Sequence, residues 1–68
     1  MNYKQIAQDT IRNIDNKSEI DRTIDLADFY EYYSDMIKDY LETYSELTDK
    51  DISSIFEYMD KIIMSGEF

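Results

Sequence analysis

Residues 24–47, IDLADFYEYYSDMIKDYLETYSEL, carry two stripes at helical spacing, and their reading decides the fold. Side chains three and four positions apart share one face of an α-helix. By that rule Leu26, Phe29, Tyr30, Tyr33, Ile37, Tyr40, Leu41, Tyr44 and Leu47 form an apolar stripe, the mark of a helix packed against others. Asp28, Glu31, Asp35, Asp39, Glu42 and Glu46 form a second stripe opposite, with Tyr32 beside it and Lys38 the only cation on its border. Like charges at i,i+3 or i,i+4 cost about 0.2–0.5 kcal/mol per pair, so this run costs on the order of 1–2 kcal/mol. A face that serves only solubility usually mixes signs, because alternating charges gain where like charges lose. The spacing predicts one long helix over 24–46, with the acidic stripe and Tyr32 as the surface to meet a partner.

Downstream, Leu47-Thr48-Asp49-Lys50-Asp51-Ile52 reads as a helix start. Thr48 is the N-cap, Asp51 stands at the third helical position, and Leu47 and Ile52 are placed to staple the entry. Asp49 and Asp51 also suit the positive end of the new helix. The third helix is expected over 49–64, with Ile52, Ile55, Phe56, Met59, Ile62 and Ile63 on one face and Ser65-Gly66 as its stop. So short a connection returns the chain antiparallel. Glu67-Phe68 reads as a frayed end or a cloning remnant.

Upstream, Tyr3, Ile6, Ala7, Thr10, Ile11 and Ile14 share one face of a helix expected over 3–15, with Asn2 as its N-cap. Asp15-Asn16-Lys17-Ser18 collects turn formers and predicts a loop. Ser18 with Asp21 resembles a capping box, and Asp21 or Thr23 would cap the next helix equally well. Ile20 and Ile24 lie off the apolar stripe; a break near Arg22–Thr23 would let both reach the core. Asp15, Asn16, Glu19 and Asp21 do not make a calcium loop, because Lys17 occupies a ligand position and the central Gly is absent.

With no strand alternation, no Pro and one Gly, the expected fold class is all-α: a small three-helix bundle with a long central helix, one domain over 1–68. Its expected core is Ile6, Ile11, Ile14, Phe29, Tyr33, Ile37, Tyr40, Leu41, Tyr44, Ile52, Ile55, Phe56, Met59 and Ile62.

Sixty-eight residues without Cys or His must fold without disulfides and with little prospect of a metal. Sixteen acids against seven bases leave a net charge of −9, which disfavours direct contact with nucleic acid or an anionic membrane. A hydrophobic fraction of 43% is too high for a disordered chain. No His, Cys or glycine-rich loop offers nucleophilic, acid–base or phosphate-binding chemistry, and paired carboxylates would need a cleft that so small a bundle has little room for. The expectation is a protein that is no enzyme and uses no cofactor. Tyr30, Tyr33, Tyr40 and Tyr44 read as core or core-edge side chains, whereas Tyr32 among acids reads as an interface anchor and Tyr58 stands at an edge. No signal-like apolar run follows Met1, so a cytoplasmic protein of a bacterial host cell is expected. Richness in Ile, Tyr, Lys and Asn points to an AT-rich genome, such as that of a low-GC bacterium or its phage.

In composition and shape, though in no motif, the chain resembles the DNA-mimicking inhibitors of phages and mobile elements, among them anti-restriction proteins, glycosylase inhibitors and several anti-CRISPR proteins. Asp28, Glu31, Asp35, Asp39, Glu42 and Glu46, with the flanking Asp25 and Tyr32, carry that resemblance. It implies a partner with a basic nucleic-acid-binding surface. Two other readings stand beside it: an acidic antitoxin or immunity protein, and a structural or regulatory helical module or homodimer, whose support is a Tyr-lined stripe wider than two short helices would cover.

Overall fold

A computed structural model describes all residues, Met1–Phe68, and contains three helices and no strand: α1 (Tyr3–Ser18), α2 (Leu26–Leu41) and α3 (Asp49–Ser65). At about 1.5 Å per residue each helix is roughly 25 Å long, which fits a body of 32 × 20 × 18 Å. This is a small all-α three-helix bundle. No helix is long and apolar enough to cross a membrane.

The organising element is α1, not α2. Asn2 caps it by accepting the Gln5 N–H at 3.0 Å, and Ile6, Ala7, Thr10, Ile11 and Ile14 are all buried. Only three residues of each other helix are buried to that degree. Thr10 keeps its place there by donating its hydroxyl to the Ile6 carbonyl at 2.7 Å. α1 packs most extensively on α3 and next on α2, while α2 and α3 touch each other least.

α1 runs to Ser18, three residues past the expected end at 15. The turn formers do not break it because Asp15 directs its side chain to the chain beyond the helix. Its carboxylate accepts the Ile20 N–H at 2.9 Å and both guanidinium nitrogens of Arg22, at 2.9 and 3.0 Å. Lys17 in the last turn suits the negative end of the helix. Glu19 then ends α1 in the left-handed region (φ 48°). The break between helices is the segment 19–25, which buries Ile20 and half-buries Ile24. The N-cap of α2 is Asp25, not Ser18, Asp21 or Thr23; it accepts the Asp28 N–H at 2.8 Å. Asp21 instead accepts the N–H and hydroxyl of Thr23. Phe68 is not frayed: it packs against the core, with the Arg22 guanidinium 4.3 Å from its ring centre.

α2 ends at Leu41, five residues short of the expected 46. Thr43 and Tyr44 donate to the carbonyls three residues back, at 3.1 and 3.0 Å, and the Thr43 hydroxyl also bonds to Tyr40 O at 2.7 Å. Acids at the end of a helix oppose its dipole, and Asp39 and Glu42 fall there. The central helix is therefore no longer than its neighbours. Phe29, Ile37 and Leu41 are buried, but Tyr33, Tyr40 and Tyr44, expected in the core, are half-buried.

α3 begins as its sequence implies, with the Thr48–Asp51 capping box formed in both directions. Ile55, Met59 and Ile63 are buried, whereas Ile52 and Phe56, also expected in the core, are only half-buried because α2 does not close over that flank. Ile62, likewise expected in the core, is half-buried on the other side of α3, beside Gln8 and Arg12 of α1. Gly66 ends the helix in the left-handed region (φ 69°), and a Cβ there would stand 3.3 Å from the Arg22 carbonyl oxygen. The end of α3 is thus fitted against the 19–25 segment.

Phe29 is fully buried and touches Tyr30 and Tyr33, at ring-centre distances of 5.2 and 5.6 Å. Phe29→Ala should cost about 3–5 kcal/mol in urea unfolding, and Phe56→Ala clearly less. Equal losses would place Phe56 in the core and contradict the open flank.

Candidate functional site

The acids divide into those the fold uses and those it leaves free; of the free ones Glu19, Asp49, Glu57 and Glu67 are scattered, and the others follow one another from 28 to 46. Asp9, Asp15, Asp21, Asp25, Asp51 and Asp60 each accept a hydrogen bond from within the chain. The two ion pairs, Arg12–Asp9 and Arg22–Asp15, belong to this set. The side chains of Asp28, Glu31, Asp35, Asp39, Glu42 and Glu46 make neither a hydrogen bond nor an ion pair. All but Asp28 are exposed; Asp28 is half-buried in the first turn of α2, where the helix dipole favours a carboxylate.

The structure places Asp28, Glu31, Asp35 and Asp39 on one outward face of α2, continued by Glu42 at its C-cap. Glu46 is not part of it, since the helix has ended and Glu46 lies in a turn. From Asp28 to Glu42 the face is about 21 Å long, shorter than a helix to 46 would give. Tyr32 stands beside it, four residues after Asp28 and three before Asp35, and is 69% exposed. Tyr58 is exposed on α3, with the Lys61 ammonium 5.4 Å from its ring centre.

An open cleft of about 540 Å³ between the C-terminal half of α2, the 42–48 segment and α3 adjoins this face. Its lining includes Tyr30, Ile37, Leu41, Tyr44, Leu47, Ile52 and Phe56, with Ser34, Lys38 and Glu42 on the α2 side. Sequence reasoning missed this cleft; the one signal for it was an apolar stripe too wide for its neighbours. Tyr30 bridges the two helices, its ring edge-on to Phe56 at 5.6 Å and its hydroxyl donating to Asp60. No group of three or more His, Cys, Asp or Glu side chains is arranged to hold a metal ion.

Several groups titrate away from their usual range. Asp15 is held low, first by the Arg22 guanidinium, with the Ile20 N–H adding to it against partial burial. Asp51 is held low first by the Thr48 N–H and then by the Tyr3 hydroxyl, which donates to it at 2.5 Å. Burial raises Tyr30, and the bond to Asp60 raises it further. Tyr40 is pushed up to about 12, first by burial and then by the Tyr44 hydroxyl.

Comparison with known proteins finds no family model that matches the chain, no similar curated protein and no similar solved structure. Charge and geometry therefore carry the functional argument.

The side-chain bonds of Asp15 and Tyr30 have a pH signature. A carboxylate with a lowered folded pKa stabilises above its unfolded value, near 3.8, and loses that contribution as pH falls through the folded value. Wild type should be more stable than Asp15→Asn at pH 7, by a margin that shrinks as pH falls below about 4. For Tyr30, whose folded pKa is raised, the sign reverses. The margin over Tyr30→Phe should be full at neutral pH and shrink as pH rises past about 10. Urea unfolding at each pH reads both margins; margins that do not change with pH would mean that these side-chain bonds do not form.

Proposed function

We propose that this protein is an acidic inhibitor whose α2 face stands in for a nucleic-acid backbone and occupies the basic groove of a host nucleic-acid-binding enzyme. Phage or mobile-element counter-defence, of the anti-CRISPR or anti-restriction type, is the biological setting that such a role suits. The role is one of binding, not catalysis. One observation carries the reading: Asp28, Glu31, Asp35, Asp39 and Glu42 share a face, and none of them has a cation or a donor within the chain.

Four like-charged neighbour pairs along that face cost on the order of 1–2 kcal/mol, a sizeable fraction of what a domain this small has in reserve. A Lys/Arg-lined groove would turn that repulsion into attraction and speed encounter through its long-range field. Carboxylates recur about every 5 Å along the helix, comparable with the several-ångström step between phosphates of one strand. Tyr32, exposed beside the acids, supplies an aromatic anchor of the kind interfaces favour. A homodimer through the same face would oppose like charges and is disfavoured by the net charge of −9.

Asp35→Lys with Asp39→Lys tests the reading. Both side chains are exposed, so the melting transition should move by no more than about 0.5 kcal/mol equivalent per site. Capture of a basic nucleic-acid-binding protein from host lysate should be lost, whereas Lys4→Glu or Lys61→Glu should leave it intact. The wild-type complex should dissociate with rising salt and in the presence of competing duplex DNA. Capture that survives the double reversal, or that neither salt nor DNA weakens, would rule out backbone mimicry.

A further inference from the structure

The α2–α3 cleft and the acidic face share a border. Ser34, Lys38 and Glu42 follow one another at four residues and form the α2 lip; Ile52 and Phe56 do the same on α3, with Asp49 one turn before Ile52. Glu42 and Lys38 are the charged residues of the lining; the exposed carboxylates of Asp49 and of the α2 face stand beyond it, and Asp60 is taken by the Tyr30 hydroxyl. The floor is apolar, built by Ile37, Leu41, Leu47 and the half-buried rings of Tyr30, Tyr44 and Phe56.

We propose that this cleft seats an amphipathic helical segment of a cationic protein, its apolar side chains on the floor and its Lys or Arg side chains over Glu42, Asp49 and the adjoining acidic face. The proposal deepens the reading of the α2 face, on which it rests: the same partner would lay its basic surface along Asp28–Asp39 and insert a helix beside it. Charge complementarity selects this occupant. A second copy of the chain would bring a further net charge of −9 to a cleft that stands beside Glu42, Asp49 and the acidic face. An apolar groove that receives an amphipathic helix reads it through side chains spaced by three and four, and a cleft lined from two helices provides rows of that spacing.

Two synthetic peptides of equal length and equal positive charge, one an amphipathic Leu/Lys helix and the other Ser/Lys, separate the cleft from the face. Titrated into the labelled protein and followed by amide chemical shifts, the Leu/Lys peptide should bind at least about tenfold more tightly. It should shift Tyr44, Leu47, Ile52 and Phe56 and retain that advantage in high salt. Ser34→Trp, or Ser45→Trp at the other end of the cleft, should abolish the advantage by filling the seat, and Ser34→Ala should keep it. Equal binding of both peptides, with shifts confined to Glu31, Asp35 and Asp39, would overturn the cleft as a seat while leaving the acidic face intact. Tighter Leu/Lys binding that Asp35→Lys with Asp39→Lys does not weaken would support the cleft and count against the face. Absence of binding by either peptide, or cleft shifts produced by protein concentration alone, would overturn the proposal.

Discussion

Burial of one face of α1 is the constraint on which the remainder of the structure depends. A chain this short, without Cys to form a disulfide, has to obtain most of its stability from buried apolar side chains, and α1 gives five residues to the interior. Both other helices pack on it. Because α1 occupies the position between them, α2 and α3 approach each other only through a few contacts, chiefly Tyr30 with Phe56 and Asp60. Two features follow from that single arrangement. The α2–α3 side stays open as an apolar cleft, and the outward side of α2 needs no partner within the chain.

The polar side chains divide along the same line. Where helices end or segments cross, a carboxylate is used: Asp15 fastens Arg22 to α1, Asp51 caps α3 and takes the Tyr3 hydroxyl, Asp60 receives Tyr30. Arg22 also stacks on Phe68, so one guanidinium joins α1, the 19–25 segment and the end of α3. Such a planar group with several donors serves this purpose better than a lysine would. The outward face of α2 has no comparable cation. Its charge therefore remains uncompensated within the fold, and a surface in that condition gains most from a positively charged partner.

The three helices were legible in the sequence because their signals are local. Asn2, Thr48 and Gly66 act through backbone groups a few residues away, and all three do what their positions imply. The outward acids were legible for the same reason, since spacing alone sets a helical face. What the sequence concealed depends on distant residues. That Asp15 would turn from helix breaker to anchor requires Arg22; that Asp25 would cap α2 depends on the path taken by 19–25. The aromatic side chains misled most. Tyr33, Tyr40, Tyr44 and Phe56 have the spacing of core residues, yet they stop half-buried because α1, with its narrow run of Ile and Ala, became the centre. The pattern of α2 is the most conspicuous in the chain, and it marks a surface more than an interior.

The separation of working from free carboxylates is the central claim, and a neutralisation series tests it most directly. Thermal melting at pH 7 and low salt would compare wild type with two variants that each remove two negative charges: Asp35→Asn with Asp39→Asn on the face, and Asp15→Asn with Asp51→Asn in the fold. The face variant should melt at or above the wild-type temperature, since it relieves like-charge repulsion, and the fold variant should melt clearly below it. A face variant that melts as low as the fold variant would contradict the claim, because Asp35 and Asp39 would then be held by contacts within the chain.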